Sequence, residues 1–172
     1  MYLLLLLKKQ QMQILKYSLF SILFLCTCIA CKNSSNDNIV IPFEEPPFKK
    51  EGILTLFKAD GQKIRSIDIE IADTDYEREL GLMNRNTLAT NQGMLFIQNT
   101  QYIQTYHMKN TRIPLDLVYI DRDKKIVSFS EDAKPMDETI LSSQVPAQYV
   151  LEINAGLAQE WLLEVGDYVS WE

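Results

Sequence analysis

Three features predict a mainly β (α+β) fold: a single compact domain on a mostly antiparallel curled sheet or partly open barrel, with two short helices. Short apolar runs with period-two alternation recur from Ile53 to the end of the chain. They follow one another directly instead of alternating with long helical segments, so neighbouring strands should pair antiparallel. Only two stretches change to helical spacing, and both are short. So many short strands favour a sheet that curls, with helices over its ends.

The first strand is Ile53 to Ala59, ILTLFKA. Asp60-Gly61 behind it is a strong hairpin signal, because glycine adopts the positive φ such turns need. In Ser66 to Ala72, SIDIEIA, isoleucines alternate with Asp68 and Glu70, giving one buried and one wet face. Thr74-Asp75-Tyr76-Glu77 matches a capping box, in which the Thr hydroxyl and Glu carboxylate accept from free N–H groups at a helix start. Tyr76, Leu80 and Met83 recur at helical spacing, and Gly81 and Asn84 keep this helix short. Gly93 to Ile97 reads as a buried strand, Thr100 to Met108 as another and Pro114 to Ile120 as a third. Asp121 to Lys124 turns the chain into Lys125 to Ser130, and a polar loop fills Glu131 to Ser143. Gln148 to Ile153, QYVLEI, alternates again. Asn154 is placed to cap a second helix, AGLAQEWLLEV, with Leu157, Trp161 and Leu162 facing inward. Gly166 ends that helix, and Tyr168 to Trp171 is the last strand. Leu95, Phe96, Leu117 and Trp161 are expected to share one interior.

The 172 residues include 17 Lys and Arg against 23 Asp and Glu, for a net charge of −6, and 47% are hydrophobic. This length suits one domain with accessories. An acidic balance without a basic block argues against nucleic acid as partner and against a polybasic contact with anionic lipid. The three cysteines, Cys26, Cys28 and Cys31, all precede the domain. The domain itself therefore has no disulfide, thiol nucleophile or cysteine metal site.

Residues 1–30 read as a lipoprotein signal peptide. Lys8, Lys9 and Lys16 precede an apolar run, Tyr17 to Ala30, that falls short of the roughly 20 residues a spanning helix needs. The run ends in Cys28-Ile29-Ala30-Cys31, which resembles the bacterial lipobox, where a small residue precedes the cysteine that receives diacylglycerol. Cys28 stands where that pattern usually has leucine. The register Leu25-Cys26-Thr27-Cys28 has the leucine but puts Thr27 at the small-residue place. Cys31 is preferred as the acceptor, and a polar run follows it. Met12 begins a tidier signal than Met1 does. Residues 31–50, lipidated Cys31 and a stretch rich in Ser, Asn and Pro, read as a flexible tether, and residues 51–172 as the globular domain. Removing residues 1–30 takes away three lysines and no acid, moving the charge from −6 to −9. The reading is an extracytoplasmic domain held to a membrane by its N-terminal lipid.

Six motifs stand in order: Gly81-Leu82-Met83, Gly93-Met94-Leu95-Phe96, Met108-Lys109-Asn110-Thr111, Ile113-Pro114-Leu115-Asp116, Val150 to Gly156, and Val165-Gly166-Asp167. Together they resemble the domain-of-unknown-function 192 family, over about Ile53 to Glu172. His107 stands where that family usually has an aromatic residue, and Leu80 where it often has arginine. The resemblance implies a compact β-rich fold with its signature residues around one surface region, and carries no settled activity.

Polar chemistry crowds between His107 and Asp116. The candidate ligand-binding residues are Arg85, Lys109, Asn110, Thr111, Arg112 and Asp116. The cations would supply charge-assisted donors for a small anionic or polar ligand, with Asp116 orienting Lys109. A structural reading instead pairs Asp116 with Lys109 or Arg85 and spends Asn110 and Thr111 on loop backbone. A third reading takes His107 and Met108, with Met83 or Met94, as Cu(I) ligands, although methionines at apolar positions also serve as core fillers. No Ser-His-Asp arrangement and no Gly-rich phosphate loop is visible. No catalytic residue or cofactor is assigned, and a binding or accessory module is preferred to an enzyme. Membrane attachment is expected to depend on Cys31. Fractionation of Cys31→Ala should show loss of the membrane-bound mature form, and full retention at mature length would remove the lipid anchor from the reading.

Overall fold

A computed structural model describes residues 45–172. The expected signal peptide, Cys31 and the first part of the expected tether lie outside these described residues. Among the described residues seven strands are present: β1 (Gly52–Phe57), β2 (Lys63–Ala72), β3 (Gln92–Tyr106), β4 (Leu115–Ile120), β5 (Ile126–Ala133), β6 (Leu141–Asn154) and β7 (Tyr168–Trp171). Two short helices accompany them, α1 (Asp75–Leu80) and α2 (Leu157–Glu160).

The strands form one sheet in the order β5-β4-β6-β3-β2-β1-β7. All neighbours pair antiparallel except β2 and β3, which run parallel. That single parallel pair needs a crossover, supplied by α1 and the turns after it. The sheet curls until its two edges touch at one corner, where Lys125 bridges Tyr168. There Ile126 N donates to Asp167 O at 2.8 Å and Val169 N to Lys124 O at 2.9 Å. The mainly β, curled and partly open architecture is the one the alternating runs predict.

Curling gives the sheet two apolar faces. Inside the curl lie Leu54, Ile67, Ile69, Leu95, Val118, Leu151 and Ile153, plugged by Leu157 and Trp161 of the α2 segment. Outside lie Met94, Phe96, Leu117, Tyr119 and Val150, covered by Leu82, Met108 and Ile113 from the connecting turns. Leu95 and Trp161 therefore share one interior, and Phe96 and Leu117 the other, which corrects the expectation of one common core. The reason is the period-two pleat: Leu95 and Phe96 are adjacent in β3 and must point to opposite faces. β4 reads as an unbroken buried run for the same reason, all six of its residues being buried.

Local differences have local causes. The two strands expected before and after Asn99 form the single β3, whose pairing with β6 shifts register between Ile97 and Tyr102. The polar loop shrinks because β5 runs on to Ala133 and β6 starts at Leu141. In α1 the capping box forms as read, with Glu77 N donating to Thr74 Oγ1 and Thr74 N to Glu77 Oε2. Yet α1 buries none of its residues, and Tyr76 is exposed. α2 stops at Glu160, and Leu162 takes φ +54° and points to solvent. Asn154 does not cap it; its Nδ2 donates to Leu88 O, and Gly156 is the N-cap.

Residues 45–50, the end of the expected tether, lie against the domain. Glu45 accepts from the backbone N–H of Asn86 and Thr87 and from Asn86 Nδ2. Lys49 N donates to Glu70 Oε1, and Lys50 pairs with Asp68 at 2.7 Å.

Leu95→Ala and Leu117→Ala should each cost about 2–5 kcal/mol, as fully buried leucines do. Because the two lie on opposite faces of the sheet, the double variant should lose the sum of the single losses to within about 0.5 kcal/mol. Urea unfolding of the three variants measures this; strong non-additivity would mean the two cores act as one.

Candidate functional site

The polar cluster singled out in the sequence does not gather at one place. Asp116 is fully buried in β4, and its carboxylate serves two backbone amides. Oδ1 accepts from Asp132 N at 2.9 Å, and Oδ2 accepts from Ala158 N at 3.0 Å. Asp132 sits in a bulge of β5 at φ +54°, where the β4 ladder leaves its amide unpaired. Asp116 thus ties that bulge to the first turn of α2. No hydrogen bond or ion pair joins it to Lys109 or Arg85.

Arg85 is buried and pairs with Glu70 at 2.6 Å. Glu70, read from alternation as solvent-facing, is instead 4% exposed, because the Arg85 turn and residues 45–50 close over that face of β2. Breaking a buried pair of this kind leaves a lone charge and typically costs about 3–5 kcal/mol. Arg112 is exposed, and its Nη1 donates to Asn86 Oδ1 at 3.1 Å. His107 is exposed, whereas Met108 is 2% exposed within the outer core. The two side chains therefore stand in different environments. No group of three or more His, Cys, Asp or Glu side chains among the described residues could hold a metal ion.

Lys109, Asn110 and Thr111 do line a cleft of about 450 Å³. Its other walls are α1 with Gly81, Leu82 and Met83, the β3 residues from Phe96 to Tyr106, and Glu152 of β6. Residues of four of the six sequence motifs meet here. The turns that frame the cleft are tied together through backbone. Asn84 N donates to Asn110 O at 2.8 Å, Thr111 N to Met108 O at 3.0 Å, and Met136 N to Thr111 O at 2.9 Å. Asn84, Asn110 and Met136 all have positive φ. Two of the three are asparagine, a type that tolerates this conformation better than most.

Gly81 has φ +49°, and a Cβ there would lie 3.0 Å from the Phe96 ring and 4.0 Å from Glu152 Oε2. Glycine therefore lets the backbone settle onto the ring while keeping side-chain atoms away from the carboxyl. Phe96 and Tyr106 meet edge to face, centroids 5.3 Å apart. The Tyr106 hydroxyl accepts from Gln98 Nε2 at 3.2 Å. Arg78 is fully engaged: it pairs with Asp75 at 2.5 Å and donates to the carbonyls of Asp73 and Ile97.

Glu152 was missed by sequence reasoning. It is 7% exposed, opposite Met94 and Leu117 on the outer face. It has no hydrogen-bond or ion-pair partner among the described residues. Burial raises its carboxyl to about 8, so it holds its proton at neutral pH. Burial, and then the nearness of Glu152, push the Tyr106 hydroxyl up as well, so it stays a phenol. In QYVLEI a glutamate at an alternating position reads as solvent-facing. The only signal against that was its place inside the Val150 to Gly156 motif.

The DUF192 family model, described as uncharacterized ACR, matches residues 55–171. The chain belongs to the DUF192 family. It is 27% identical over 105 residues to UPF0127 protein TK1120 of Thermococcus kodakarensis, a match covering 60% of this chain and 64% of that protein. Two solved structures are similar to this DUF192 domain. One is a candidate transcription regulator of Sinorhizobium meliloti 1021, with 33% identity and a TM-score of 0.68, covering 73% of this chain and 98% of that one. The other is a protein of unknown function from Novosphingobium aromaticivorans DSM 12444, with 36% identity and a TM-score of 0.65, covering 69% and 84%.

The raised Glu152 carboxyl makes stability depend on pH. The folded state keeps a proton to about pH 8 that an unfolded glutamate releases near 4.5. Its contribution is complete below that lower value and is lost as pH rises toward and through the upper one. Glu45, Glu51, Glu77 and Asp137 are shifted downward, so their effects fall on the acid side of this window. The melting temperature should therefore fall between about pH 5 and 9, more steeply than in Glu152→Gln, which should melt higher than wild type at the alkaline end. Parallel slopes for the two proteins would remove the buried carboxyl as the cause.

Proposed function

We propose that this DUF192 protein is a lipid-anchored, extracytoplasmic binding module that holds a small polar ligand in the cleft framed by Gly81 to Met83, Phe96, Tyr106 and Lys109 to Thr111. The observation that carries the reading is Glu152. A buried carboxyl without a partner costs several kcal/mol unless something satisfies it, and this one faces a cleft of a size suited to a small molecule. Lys109, exposed at the rim, is placed to meet a second polar group of the ligand. The anchor rests on the Cys31 motif and the signal-like residues before it.

The Sinorhizobium relative is described as a candidate transcription regulator. The acidic balance of this chain, −6 overall, favours a small-molecule partner over a nucleic acid.

The test is a thermal-shift screen of the full-length protein in detergent against anions, sugars and polyols, amides, and amines. At least one class should raise the melting temperature by linkage. Thr105→Trp, at an exposed position on the cleft wall, should abolish the shift. A screen without any stabilising class, or a shift indifferent to Thr105→Trp, would overturn the proposal.

A further inference from the structure

The charges around Glu152 are distributed unevenly. Arg78 is consumed by Asp75 and two carbonyls, and Arg85 by Glu70. Lys109 makes no ion pair to Glu152. The described residues therefore provide no ion-pair partner for Glu152 at the cleft floor, where a carboxylate would be worth most to a ligand. The floor is also aromatic: Phe96, 1% exposed, and the half-buried Tyr106 meet edge to face there. Gly81 packs its backbone onto the Phe96 ring and puts no side chain of its own over the carboxyl. A buried acid without a partner, in a cleft with an aromatic lining, suits one class of ligand group well, a cation, which gains a charge-assisted hydrogen bond to the carboxylate. An anion there would meet a like charge, or a carboxyl forced to stay protonated.

We infer that the ligand carries a protonated amine, whose ammonium group binds the Glu152 carboxylate in the cleft lined by Tyr106. This inference rests on the binding reading above. The free site holds a neutral carboxyl at neutral pH, so binding exchanges one charge for another: the ammonium enters, and the Glu152 proton leaves to solvent. The amine keeps its own proton, and no covalent bond changes. Affinity should then rise about tenfold per pH unit below the Glu152 value, because ligand and proton compete for one carboxylate.

Other titratable groups face this space. From α1 they are Arg78 and Glu79; from β3, Tyr102 and Tyr106. His107 and Lys109 follow at the rim, and Tyr119 of β4 lies close enough to feel the Glu152 charge. His107 is a second titratable side chain of the cleft, so His107→Gln is measured alongside.

The experiment is calorimetry on the full-length protein in detergent, with ethanolamine and putrescine as amine probes, glycerol as neutral probe and acetate as anion. Titrations are run between pH 6 and 7.5 in buffers of different ionisation enthalpy. An amine should bind with close to one proton released per site, and with affinity climbing about tenfold per pH unit. Proton release should disappear in Glu152→Gln and persist in His107→Gln. Binding of glycerol or acetate without binding of either amine would overturn the amine assignment and leave the binding reading standing. Amine binding with unchanged proton release in Glu152→Gln would place the amine on surface carboxylates and overturn the assignment too. Binding of none of the four probes, in a protein stabilised by no class in the screen, would overturn both. The wild-type proton count needs no variant, so a poorly folding Glu152→Gln does not block the test.

Discussion

A sheet that is apolar on both faces has to be covered twice, and most of this structure follows from that requirement. β3, β4 and β6 place Leu95, Val118 and Leu151 on one side and Phe96, Leu117 and Val150 on the other. The inner side is covered by the sheet itself, which curls until β5 and β7 meet. Asp167 secures that corner: its carboxylate accepts from Ala59 N, Glu164 N and Lys58 Nζ. The outer side is covered by turns, led by residues 81–85 and 108–113, and turns cover incompletely. The cleft is the seam where that cover leaves β3 and β6 partly open.

Buried acids show how the two coverings differ. Glu70 has Arg85 and a backbone amide, Asp116 has two backbone amides, and Asp167 has Lys58 and two amides. Each closes a joint in the chain, and each is ion-paired or hydrogen-bonded, as buried charges in proteins generally are. Glu152 closes no joint. Its burial comes from the Gly81 turn lying over it, and the same turn leaves the carboxyl facing open space. Polar burial without a structural purpose points toward something outside the polypeptide.

Much of the fold was legible in the sequence, because local signals and tertiary outcome agree. Alternation located β1, β2 and β7, the Thr74–Glu77 box located the start of α1, and Asp60-Gly61 marked the first turn, where Gly61 has φ +92°. What could not be read was which polar positions on alternating strands become covered. Glu70 and Glu152 have the pattern of wet residues, and only distant turns decide otherwise. Asp116 and Arg85 were noticed as chemistry-bearing residues. Their partners, a bulge amide and a glutamate on β2, carry no mark in sequence spacing. Lys109 to Thr111 were legible as part of a surface feature because three polar residues before Ile113-Pro114 have no strand to join.

The short run from Glu45 to Lys50 also has a mechanical meaning. Glu45 grips the amides of Asn86 and Thr87, and Lys49 reaches Glu70, the partner of Arg85. Any tension on the chain from before Glu45 would therefore meet these bonds before β1. A pull from that side would reach a buried ion pair next to the turns that frame the cleft, so these residues would act as a clamp on the outer cover ahead of the strands.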